Sequence, residues 1–135
     1  MSSASGSRNL QIVQSLYHAY AEADLDSFYR DLSPDLTWIE CDGFPTPGVF
    51  RNKEEVTDNV FAVLQRDWSH WQYELDHLID AGDSVVAIGS YRGTHGRTAK
   101  SFRARAAHVW HLADGKIIRF EQFADTYPIQ SATVA

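Results

Sequence analysis

The period of the apolar residues changes half-way along this chain, from about 3.6 to 2, and that switch constrains the fold more than any single motif does. From Arg8 to Ala23 the residues Leu10, Val13, Leu16, Tyr17, Tyr20 and Ala21 recur at three- and four-residue steps, which predicts an amphipathic helix. Beyond Trp71 the alternation is strict, so Trp71–Ala81, Ser84–His95, Ala99–Leu112 and Lys116–Asp125 read as four long strands. Ala81-Gly82-Asp83 and Asp114-Gly115 supply hairpin turns, where glycine tolerates positive φ. Helices first and an antiparallel meander afterwards is the α+β pattern.

The segment between these halves adds two helices and one strand. Asp24 offers an N-cap to a short second helix carrying Leu25, Phe28 and Leu32, which Ser33-Pro34 is expected to end. Leu36–Cys41 reads as a strand, and Asp42 to Gly48 is a loop punctuated by two glycines and two prolines. Asn52 with Glu55 three residues later has the spacing of a capping box, and Val56, Val60, Val63 and Leu64 continue a third helix to about Arg66.

A chain of 135 residues with 44% hydrophobic residues and 17 aromatics has enough apolar surface for one self-sufficient core. We therefore expect a single domain over residues 8–127, a flexible Ser/Gly-rich leader at 1–7 and a tail at 128–135. A formal charge of -6 argues against nucleic acid and anionic membrane as partners. The one cysteine, Cys41, leaves stability to packing, which suits a reducing cytoplasm. His108 and His111 point to opposite faces of one strand, and the other histidines show no ligand spacing, so no metal is expected. No glycine-rich phosphate loop precedes a helix, and no cofactor is expected.

Strand alternation sorts the long strands into faces. Phe102, Ala104, Ala106, His108, Trp110 and Leu112 share one face, opposite Arg103, Arg105, Val109 and His111. Ile118, Phe120, Gln122 and Ala124 group against Arg119, Glu121 and Phe123, and Leu36, Trp38 and Glu40 group on the first strand. Trp38, Phe102, Trp110 and Phe120 are thus expected to enclose Glu40, His108 and Gln122, with Tyr17, Tyr20 and Phe50 as further candidate ligand contacts. A carboxylate on an apolar strand face loses hydration, which raises its pKa towards the range useful for proton abstraction, making Glu40 the candidate base. His108 is the candidate oxyanion donor or acid. On the outward face, Val109 and Phe123 beside Arg103 and Arg105 suit an isologous homodimer contact.

The order of elements resembles the cone-shaped fold of nuclear transport factor 2-like proteins. Ala23-Asp24-Leu25-Asp26, Leu36-Thr37-Trp38, Phe50-Arg51-Asn52-Lys53-Glu54, Asp114-Gly115-Lys116-Ile117 and Phe120-Glu121-Gln122-Phe123-Ala124-Asp125-Thr126 narrow it to the SnoaL-like, ketosteroid-isomerase-related family, over roughly residues 9 to 127. The resemblance implies a cone-shaped curved antiparallel sheet packed with three N-terminal helices around one pocket. It sets Glu40 at or next to the proton-shuttling aspartate of ketosteroid isomerases, a system well known for its tuned carboxyl groups. It sets His108 at their oxyanion-stabilising aspartate and at a histidine of SnoaL-type cyclases. Leu16 stands where the isomerases have an oxyanion tyrosine, and Gln122 where the cyclases have an acid/base aspartate, so neither named activity carries over residue for residue. The expected function is cofactor-free acid/base chemistry, of isomerase, cyclase or dehydratase type, on a small apolar carbonyl compound. The alternative is a non-catalytic module for binding a small hydrophobic ligand or for dimerisation.

Overall fold

The computed structural model describes residues 4–135, and side chains from Arg8 onward. Residues 1–3 of the expected leader lie outside the described residues, and its remainder opens helix α1 (Ala4–Ala21). Asn9, Val13, Leu16, Tyr17 and Ala19 form the buried stripe of α1, while Gln11, Gln14, Ser15 and His18 face water. The Asn9 side-chain amide donates to the Gly82 carbonyl at 2.9 Å, fixing the helix to the first hairpin turn.

Helix α2 (Leu25–Tyr29) starts as expected, with Asp24 accepting from the Ser27 N–H. It ends four residues before the expected stop, because Leu32 already belongs to strand β1 (Leu32–Glu40). Pro34 therefore lies in a strand, exposed, and in the stretch between Leu32 and Thr37 where the pairing of β1 slips. A missing N–H costs little at such an irregularity. A short strand β2 (Gly48–Phe50), absent from the sequence reading, then pairs antiparallel with the end of β1.

The third expected helix is a run of three pieces: α3 (Lys53–Val56), a π turn (Thr57–Phe61) and α4 (Ala62–Asp67). Asn52 accepts from the Glu55 N–H at 2.9 Å, and the Glu55 carboxylate reaches back to the Arg51 N–H at 2.9 Å, one residue earlier than a strict capping box. Strands β3 (Trp68–Asp80), β4 (Ser84–His95), β5 (Ser101–Ala113) and β6 (Lys116–Ala124) form the meander. Asp114 (φ 52°) and Gly115 (φ 76°) both have positive φ, the two-residue turn whose twist matches a hairpin.

The strands form one curved, unclosed sheet in the order β2-β1-β6-β5-β4-β3. All neighbours are antiparallel except β1 and β6, which run parallel, an exception that the expected antiparallel sheet did not contain. Beside β5 the pairing slips between His111 and Leu112, so Ile117, not Ile118, points inward. Ile117 is fully buried and Ile118 is 41% exposed. This corrects the inward assignment of Ile118: one extra residue inverts the alternation before it, while Phe120 and Gln122 remain inside. Residues 126–132, mostly placed in a tail, form helix α5 (Thr126–Ala132), which buries Ile129 and Ala132. The Gln130 amide donates to the Gly43 carbonyl at 3.1 Å, holding the β1–β2 loop against α5.

Candidate functional site

Strand β1 delivers Leu36, Trp38 and Glu40 to the concave side of the sheet, each buried. Trp38 stacks on Phe120 of β6 (centroids 3.9 Å apart) and meets Trp110 of β5 edge-on at 5.8 Å. Glu40 sits against this aromatic wall, 4% exposed. Its Oε2 accepts from the Trp38 indole N–H at 2.9 Å. Its Oε1 accepts from the Thr46 hydroxyl at 3.0 Å and, more weakly, from the Gln122 amide at 3.5 Å. Burial raises the Glu40 pKa to about 7, against the pull of these three donors, which favour the carboxylate. The group is thus poised near neutrality, where a general base is most effective.

From Glu40 a chain of hydrogen bonds crosses the concave face. The Gln122 amide oxygen accepts from the Cys41 backbone N–H at 3.2 Å, which fixes the orientation of the amide and turns its nitrogen towards Glu40 and Tyr91. That nitrogen donates to the Tyr91 hydroxyl at 2.7 Å. The Tyr91 hydroxyl lies 2.7 Å from His108 Nε2, and the Tyr17 hydroxyl 2.5 Å from Nδ1. The Trp110 indole donates to Tyr17 at 2.9 Å. Both ring nitrogens of His108 are therefore engaged by tyrosines, and no hydrogen bond joins it to Glu40. Burial alone lowers the His108 pKa to about 3, so the ring is neutral. Burial likewise holds the Tyr17 and Tyr91 phenols well above their usual range and pushes Tyr20 up to about 12.

Tyr73 completes the support of His108, stacking on the imidazole at 4.3 Å and donating its hydroxyl to the Ala106 carbonyl at 3.2 Å. Gly89 makes room for it. A methyl group at Gly89 would stand 2.8 Å from the Tyr73 ring and 2.2 Å from the Glu74 carbonyl oxygen.

Glu40, His108, Tyr17, Tyr20, Trp38, Trp110 and Phe120 all line one cavity, and Gln122 ties two of its walls together. Its free interior is about 40 Å³, room for a water or two, so a larger guest requires side chains of the wall to move. Two expected contacts lie elsewhere. Phe102 is buried but packs 5.2 Å from Trp68 and 5.3 Å from Trp71, outside the cavity wall, because it stands at the start of β5, well along the strand from His108. Phe50 is half-buried on edge strand β2, also outside the wall. Sequence reasoning missed Tyr91, Tyr73, Thr46, Phe44 and Trp71. Tyr91 was within reach: on β4 the buried odd positions Val85, Ala87, Gly89 and Gly93 are all small or aliphatic, and Tyr91 is the one large polar-tipped residue among them. Thr46 comes from an irregular loop, where alternation carries no signal.

Among the described residues no three His, Cys, Asp or Glu side chains come together in a way that could hold a metal ion. No described helix is long and apolar enough to cross a membrane.

Residues 13–120 match the model of the SnoaL-like domain. No curated protein matches the chain. Among solved structures, an NTF2-like protein from Burkholderia thailandensis is 42% identical with a TM-score of 0.91, the match covering 93% of this chain and 97% of that one. An NTF2-like protein of unknown function from Burkholderia pseudomallei is 25% identical with a TM-score of 0.86, covering 95% and 98%. TerC, co-crystallised with polyporic acid, shares the fold at 19% identity and a TM-score of 0.83, covering 93% and 97%.

Proposed function

The chain belongs to the SnoaL-like domain family, and on that footing we propose that it is a cofactor-free acid/base enzyme acting on a small apolar carbonyl compound. The observation that carries this reading is Glu40, a carboxyl group with a pKa of about 7 in the wall of an aromatic cavity. Glu40 takes a proton from the carbon next to the carbonyl. The C–H electron pair moves into a new C=C bond, and the carbonyl oxygen becomes an enolate oxygen. Return of the proton from Glu40 to a different carbon completes an isomerisation; loss of a leaving group or attack on a second carbonyl gives the dehydratase or cyclase outcome. The aromatic walls hold apolar substrate and exclude water, which strengthens every electrostatic contact inside. TerC, which shares the fold, was co-crystallised with polyporic acid, so the fold accommodates a small organic ligand. We further propose that the protein works in the cytoplasm as a homodimer paired through its outward sheet face, where Phe123 is 50% exposed.

The test is solvent deuterium incorporation. Small cyclic β,γ-unsaturated ketones incubated with the protein in D₂O are expected to gain deuterium at the carbon next to the carbonyl. Glu40→Gln, close in size but unable to act as a carboxylate base, is expected to slow this by about 100-fold or more. Ketone binding without any exchange would support the binding-module reading instead and overturn the enzymatic one.

A further inference from the structure

Resting on the proposed proton abstraction, and adding to it, a count of protons along the Trp110–Tyr17–His108–Tyr91–Gln122 chain identifies the group that receives the enolate oxygen. The Trp110 indole can only donate, so the Tyr17 oxygen accepts at that end. The Gln122 amide nitrogen can only donate, and its orientation is fixed by Cys41, so the Tyr91 oxygen accepts at the other. Between the two tyrosines stands His108, whose neutral ring has one N–H and one lone pair. It accepts from one tyrosine and donates to the other. The tyrosine that receives the imidazole N–H already receives an indole or amide N–H, and its own hydroxyl proton is left over. Among the described residues neither hydroxyl has another acceptor within hydrogen-bond distance, and both tyrosines line the cavity that Glu40 faces.

We infer that one hydroxyl of the Tyr17/Tyr91 pair, freed by the tautomer of His108, is the donor to the developing oxyanion. His108 itself is a positioning residue, with no free nitrogen to offer a substrate. Exchange of the imidazole proton between Nδ1 and Nε2, with reorientation of the two hydroxyls, moves the free donor from one tyrosine to the other. The cavity can therefore meet an oxygen at either of two places without changing its net charge. This favours substrates with an oxygen at each end of the reacting system, such as diketones and hydroxyenones, in which an enolate forms at one oxygen or the other.

The test reads binding, not turnover, and so stands apart from whether Glu40 is the base. Glu40→Gln protein, neutral at position 40 as after proton abstraction, is titrated with 4-nitrophenol, whose phenolate oxygen mimics an enolate and whose ionisation is visible by absorbance. We expect the bound form to be the phenolate. Tyr17→Phe or Tyr91→Phe added singly should weaken binding by about five-fold or less, and the two together by about 100-fold or more, because a surviving hydroxyl inherits the spare proton. Equal losses from one single variant and from the pair would mean a fixed donor and overturn the sharing. No phenolate binding by folded Glu40→Gln protein, or affinity indifferent to losing both hydroxyls, would overturn the donor assignment altogether. Should the double tyrosine variant fail to fold, proton NMR of the Glu40→Gln complex decides: a strongly downfield hydroxyl proton that appears on adding the phenolate is expected, and its absence overturns the inference. Nitrogen-15 spectra of His108 must show one protonated ring nitrogen at neutral pH, since an imidazolium would invalidate the count.

Discussion

The Trp38 indole N–H donates to the Glu40 carboxylate at 2.9 Å from two residues away on the same strand. Neighbours two apart on a strand share a face, so the spacing that sends the tryptophan into the core sends the carboxyl group with it. Burial strips water from Glu40, and the indole replaces part of that solvation without neutralising the charge. The outcome is a carboxyl group that titrates near pH 7 in an apolar wall.

That shift makes the fold pH-sensitive, with a sign that follows from the direction. Glu40 has an ordinary pKa of 4.5 when unfolded and about 7 when folded, so between these values the native state holds a proton that the unfolded state has lost, and stability falls as pH rises. His108 works the other way: its pKa falls from 6.5 to about 3, so stability drops as pH falls from 6.5 towards 3. Between about 4.5 and 6.5 the two trends oppose. Glu40→Gln removes one of them. Its stability relative to wild type, from urea unfolding at each pH, should rise by about 3 kcal/mol from pH 4 to pH 8, at about 1.4 kcal/mol per pKa unit. A difference that stays flat with pH would mean an ordinary Glu40.

Deleting an aromatic wall should cost what a large buried side chain costs. Trp38→Ala or Trp110→Ala, each removing a ring that is 3% or less exposed, is expected to destabilise by roughly 3–5 kcal/mol in denaturant unfolding. Trp110→Phe keeps most of the volume and removes the donor to Tyr17 with the smaller part of the ring system, so a smaller loss of about 1–2 kcal/mol is expected. A loss well below 1 kcal/mol for either alanine variant would contradict the packing around Glu40.

How much of this was readable beforehand depended on periodicity. Trp38, Glu40, His108, Trp110, Phe120 and Gln122 were placed inward by alternation alone, and all are buried. Alternation failed at Ile118, where one extra residue before Phe120 is invisible in the sequence. It also could not tell that Phe102, on the right face, stands too far along β5 to reach the cavity, because alternation gives the face of a residue and not where along the strand the cavity ends. The surroundings of His108 were illegible for a different reason. Its partners, Tyr17 and Tyr91, lie 91 and 17 residues away in sequence, and a side chain's free valences depend on such distant neighbours.

Gly89 offers a test of the support beneath His108. A methyl group there collides with the Glu74 carbonyl oxygen at 2.2 Å, which is backbone and cannot swing aside, and with the Tyr73 ring. Gly89→Ala should push β3 and Tyr73 away from His108, costing about 1–3 kcal/mol of stability by overpacking. The tyrosine and histidine ring signals in NMR should shift together. Unchanged Tyr73 and His108 signals would show that the strand absorbs the methyl group elsewhere.

The outward sheet face predicts the mass in solution. Phe123 and Ile118 are 50% and 41% exposed, and Arg103, Arg105 and Arg119 are exposed on the same two strands. Light scattering at tens of micromolar protein should give twice the chain's 15.3 kDa, and Phe123→Asp should shift it towards the monomer. A monomer mass for the unaltered protein would remove the homodimer from the proposal.

The last prediction joins the Glu40 pKa to rate. If Glu40 is the base, ketone exchange requires its carboxylate, so the rate should rise with pH through a midpoint near 7 and level off above it. His108, titrating near 3, should add no second limb between pH 5 and 9. The Thr46 hydroxyl gives the carboxylate one of its three hydrogen bonds and so holds the midpoint down. Thr46→Val keeps the shape and removes that donor. A bond to a charged group contributes about 1.5–3 kcal/mol, so the midpoint should move up by about one pH unit or more, with the high-pH plateau largely kept. A midpoint that stays in place, or moves down, would mean that Thr46 does not stabilise the charge on which the reaction depends. A plateau that collapses while the midpoint holds would assign Thr46 to the substrate instead of to Glu40.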